Sequence, residues 1–102
     1  MMMAYDSSQT PPSRLDETVV AAVREAMRAY LADSADPGRL RDALVAMAAD
    51  ARARSMPPEQ LLVVLKDLWG GLGEVRAMTD VGQQVRLQQR VVTMCIKEYF
   101  ST

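Results

Sequence analysis

A chain of 102 residues, 49% hydrophobic and 25% charged, is too apolar for a disordered segment and has room for one core rather than two. Its 12 basic and 13 acidic residues leave a net charge of −1, which argues against a general polyanion binder built on clustered Lys and Arg. The chain has no histidine, which removes histidine phosphotransfer, Ser/His and Cys/His nucleophilic catalysis and most zinc chemistry at once.

The first 12 residues are polar, end in Pro11-Pro12 and carry neither a basic start nor a hydrophobic stretch. They read as a flexible tail rather than a secretory leader, ahead of a single helical domain over residues 13–102. One cysteine, Cys95, allows no intrachain disulfide, so a cytoplasmic setting is expected. No apolar run is long enough to span a membrane, since Leu61 to Leu65 is followed at once by Lys66 and Asp67.

The first helix is predicted to start near Ser13, with Asp16 completing a cap-like pattern, and to run to about Asp33. Leu15, Val19, Val23, Ala26, Met27 and Tyr30 recur every three or four residues and form its inward face. Glu17, Arg24 and Arg28 fall on the opposite, solvated side. A loop over residues 33–38 follows, in which Asp36 and Pro37 suit the cap and first position of a second helix. That helix buries Leu40, Leu44, Met47, Ala48 and Ala51, a narrow stripe that lets a neighbour approach closely. Arg39 and Arg41 lie at its start; Arg52 and Arg54 lie at its end, where they suit the negative pole of the helix dipole.

The third helix is predicted from about Pro57 to Trp69, with Ser55 able to cap it and Glu59 suited to its positive end. Leu61, Leu62, Val64, Leu65, Leu68 and Trp69 fill a broad apolar arc, which makes this the largest block of core. Val63 falls on the wet side with Lys66 and Asp67. Gly70-Gly71-Leu72-Gly73 reads as a helix end and turn, because no strand precedes it and no Gly-Lys-Ser/Thr follows. Glu74 to Asp80 is open between loop and early helix. The last helix, from about Asp80 to Tyr99, carries a main stripe of Val81, Val85, Val92, Cys95, Ile96 and Tyr99 and a second of Leu87, Val91 and Met94. Two stripes cover more of a helix than one packing contact requires.

The segment Ala51-Arg52-x-Arg54-x-x-Pro57-Pro58-Glu59, the apolar helix ending in Trp69 and the closing Cys95-Ile96-x-Glu98-Tyr99-Phe100 resemble a group of small all-helical bacterial proteins. The resemblance covers about half of the chain. It implies a folded helical module of regulatory size, with no activity and no functional residue attached.

Chemistry-bearing motifs are few. Cys95 sits on a buried stripe, away from any helix N-terminus or dependable cation, and reads as a small core residue. Asp16, Glu17, Glu25, Asp33, Asp36, Asp42 and Asp50 form no close acid-base or metal-binding cluster, so no catalytic residue, metal or cofactor is expected. Residues 40–69 have the spacing of a helix-turn-helix corner. Yet Glu59, Leu62 and Val63 stand where base edges call for Arg, Lys, Asn or Gln, and only Gln60 qualifies. The fold expected is therefore all-α, a four-helix antiparallel bundle or an orthogonal helical array. The function expected is a non-catalytic protein–protein interaction or regulatory module, acting on a protein partner or on itself. Its expected surface is Val63, Leu87, Val91 and Met94. The alternative is a small DNA-binding regulator using the corner at residues 40–69, against which the chemistry of the third helix argues.

Overall fold

A computed structural model describes residues 14–101. The tail expected at residues 1–12 and the helix start expected near Ser13 lie outside this range. The described residues form α1 (Glu17–Ala32), α2 (Gly38–Ala53), α3 (Pro58–Gly71), the single-turn α4 (Gly73–Arg76) and α5 (Val81–Phe100), with no strand among them. The all-α class is as read from the periodicity; the short α4 is an addition. No helix among the described residues is long and apolar enough to cross a membrane.

Asp16 is the N-cap of α1 rather than part of its first turn, its carboxylate accepting from the Thr18 amide at 2.8 Å. The buried Leu15, just before the cap, shares a cleft with Val20, the fourth residue of the helix. That pairing is a hydrophobic staple, and it sets the entry point later than a Ser13 start. At the start of α2, Asp36 accepts from the Gly38 amide at 3.3 Å, so Pro37 precedes the helix instead of opening it.

The corner between α2 and α3 closes differently from the capping pattern in the sequence. Met56 donates its backbone N–H to the Ala51 carbonyl at 2.8 Å and Ser55 donates to Arg52 at 3.1 Å, while Ser55 adopts a left-handed φ of 58°. This pair of bonds is a Schellman end to α2. Ser55 therefore terminates α2 and does not cap α3, which starts on Pro58 with no side-chain cap and relies on a proline that has no donor to satisfy. The glycines after Trp69 also act otherwise than expected. α3 runs on through Gly70 and Gly71, none of the described glycines has a positive φ, and the chain turns at Leu72 in extended backbone. Leu72 and Val75 are both buried, and bringing both inward is what α4 accomplishes.

Long-range bonds fix the directions of the helices. Asp16 donates its N–H to Asp50 at 2.9 Å and Arg54 donates to the Arg14 carbonyl at 3.0 Å, so the start of α1 lies at the end of α2 and the two run antiparallel. The Tyr99 hydroxyl donates to the Met56 carbonyl at 2.6 Å, and Gln84 donates to the Val75 carbonyl at 3.0 Å. α5 thus returns antiparallel along α3 and closes both of its ends. α2 packs on the other side of α5, and α1 lies across α2 and α3. The residues expected inward on α1 and α2 are inward, and Trp69 is buried in the core with Met27, Leu44, Leu61 and Leu65.

Candidate functional site

The helix α5 has three faces, and these define the candidate surfaces. Its core face is Leu87, Val91 and Cys95, with Met94 half-buried beside them. Burial pushes the Cys95 thiol up to about 11, far from the range of a reactive thiolate at neutral pH. On the flank toward α3, Val81, Val85, Gln88, Val92 and Ile96 recur at helical spacing. On the flank toward α2 and the end of α1 lie Arg86, Arg90, Thr93 and Lys97.

The sequence-derived surface is only partly a surface. Leu87 is 6% exposed and Val91 1% exposed, so both belong to the core, and Met94 is half-buried. Only Val63 stands out in solvent, at 58%. The excess apolar surface lies instead on the stripe expected to face inward, where Val81 is 66% and Val85 43% exposed. The stripe expected inward divides along its length: Cys95 is buried and Val92 and Tyr99 pack against the core, whereas Val81 and Val85 at its start are exposed. This leaves the Val81–Val85 end without a helix over it. Lys66 of α3 joins Val85, Gln88 and Val92 in one shallow groove, and Val63 lies one turn before Lys66 on α3.

Of the arginines at the ends of α2, two are tied into the fold. Arg52 donates to the carbonyls of Glu98 and Tyr99 at 3.0 and 2.8 Å, so it caps the negative pole of α5 rather than that of its own helix. Arg54 pairs with Asp50 at 2.9 Å and also holds the Arg14 carbonyl. The Asp16 amide, followed by Arg54, holds the Asp50 carboxyl below its ordinary range. Arg28 bridges Glu25 and Glu74, tying α1 to α4. Among the described residues, no group of three acidic, Cys or His side chains converges as metal ligands would.

The feature that sequence reading missed is the basic flank of α5. It borders a groove of about 610 Å³ lined by Tyr30, Ser34, Pro37, Arg86, Arg90 and Lys97, among others. The signal was present in the chain as Arg86, Arg90 and Lys97, spaced by four and seven, but cations at such spacing read as a solvated face until a neighbouring helix makes a wall. No family model, curated protein or solved structure matches this chain.

Proposed function

We propose that the protein is a non-catalytic interaction module whose docking face is the apolar flank of α5 with the adjoining rim of α3, meeting a second copy of the chain or another protein. The observation that carries this reading is the exposure of Val63, Val81 and Val85 on neighbouring helices. The groove beside Val85 is lined by the neutral Gln88 and Gln89, with Lys66 its one charged lining residue. The DNA-binding alternative has less support. Arg52 and Arg54, the cations of the α2–α3 corner, are engaged within the fold, and the outer side of α3 offers Leu62 and Val63.

Sedimentation equilibrium tests the reading. The wild type is expected to self-associate or to hold a specific protein partner, and Val63→Glu with Val85→Glu is expected to stay helical while losing that association. An isolated exposed position tolerates charge, whereas a buried contact between molecules does not. A wild type that stays monomeric and partnerless, or a double variant that associates as the wild type does, overturns the proposal.

A further inference from the structure

We propose that the groove between α5, the end of α1 and the α1–α2 loop is a binding site for a small phosphorylated organic molecule. Arg86, Arg90 and Lys97 all border the groove, no carboxylate lines it, and none of the three forms a salt bridge with a described residue. The nearest acidic side chains in the loop are turned to their own backbone: Asp33 accepts from the Ala35 amide at 3.2 Å and Asp36 from the Gly38 amide. Helix energetics account for Lys97, in the last turn of α5, but not for the two arginines. Like charges four apart, as in Arg86 and Arg90, disfavour a helix, and Arg86 sits in the second turn, near the positive pole rather than the negative one.

Tyr30 supplies the second observation. It is 2% exposed and lines the groove, yet its hydroxyl makes no hydrogen bond to a described residue. Tyr30 thus forms part of the groove wall, and among the described residues Trp69 Nε1, not the Tyr30 hydroxyl, is the sealed side-chain polar atom without a partner. A phenol in the wall of a cationic cleft has an O–H that can donate to an anion entering it. Ser34 and Thr93 place two more hydroxyls along the walls.

The geometry favours phosphate over carboxylate. Side chains four apart on a helix start about 6 Å apart, so Arg86 and Arg90 can converge on one group. A carboxylate offers two oxygens and a single charge, whereas a phosphate monoester dianion brings three free oxygens and two charges to match two guanidinium groups. Pro37, Ala35 and Met94 add an apolar wall that bare phosphate would leave unused, and the groove volume lies in the range of small-molecule sites. This groove meets the shallow groove toward α3 at Gln89 and Thr93, but Tyr30, Arg86 and Arg90 lie outside the docking face and Val63 and Val85 outside this groove, so either proposal can fail without the other.

Thermal unfolding and calorimetry at constant ionic strength, with adenosine monophosphate, inorganic phosphate, citrate and duplex DNA as probes, test the assignment. Adenosine monophosphate is expected to raise the unfolding temperature and inorganic phosphate to do so less. Arg86→Gln with Arg90→Gln should stay helical and bind roughly tenfold or more weakly, the loss expected of charge-assisted hydrogen bonds. Tyr30→Phe should weaken binding while leaving the ligand-free unfolding temperature unmoved, since the hydroxyl has no partner among the described residues. Arg39→Gln, on the other side of α2, should change nothing. No response to either phosphate probe, binding that survives the double arginine variant, or citrate bound as tightly as adenosine monophosphate would overturn the proposal. So would duplex DNA held more tightly through the same arginines.

Discussion

Ser55 carries the one positive φ among the described non-glycine residues, at 58°. An L residue there brings Cβ against its own carbonyl, at a penalty of roughly 1–2 kcal/mol. What holds it is the pair of bonds that end α2, together with the burial of Met56 immediately after it. Glycine removes the clash but adds freedom to the unfolded chain, so only part of the penalty is recoverable. Ser55→Gly is therefore expected to stabilise the fold by about 0.5–1 kcal/mol, a rise of a few degrees in Tm. A thermal melt that moves down would mean the left-handed turn is relaxed as it stands. This turn was not legible in the chain. A serine shortly before two prolines has the form of a helix N-cap, and left-handed turns are announced by Gly or Asn rather than Ser.

At the scale of elements, periodicity located all four long helices and the inward faces of α1 and α2. It could not orient α5. Both stripes of that helix repeat by three and four, so each satisfies the pattern of a buried face equally well. What selects between them is distant in sequence: Arg52 fastened to the end of α5, Tyr99 fastened to Met56, and Gln84 fastened to Val75. None of these contacts has a local signature. The basic residues did not decide it either, because the line opposite Arg86 and Arg90 runs through Gln88, Val92 and Cys95 rather than Leu87 and Val91. Leu87 and Val85 should therefore respond oppositely to charge. Leu87→Glu should cost at least about 3 kcal/mol and leave little cooperative unfolding, whereas Val85→Glu should stay within about 0.5 kcal/mol of the wild type. Circular dichroism melts of the two single variants decide it. The reverse order would put Leu87 outside and Val85 in the core.

The whole molecule is assembled around α5, with α2 on one side, α3 on the other and α1 closing across them. Trp69 lies near the end of α3 and is almost wholly buried in the core. A domain of this size has a net stability of about 5–15 kcal/mol, and removing a buried Trp side chain costs about 3–5 kcal/mol. Trp69→Ala should thus lower Tm by on the order of 10 °C or more. The indole adds a second effect, because its Nε1–H is sealed from solvent with no partner among the described residues. An unmet buried donor costs about 1–3 kcal/mol, which opposes part of the packing gain of the ring. Trp69→Phe removes that donor and keeps an aromatic ring, at the expense of a small void. The phenylalanine variant should accordingly lose well under half of what the alanine variant loses in urea-unfolding free energy, with an unchanged m-value. Equal losses for the two variants would show that the indole N–H is bonded in the folded protein, and that the core tolerates the loss of that bond no better than the loss of the ring.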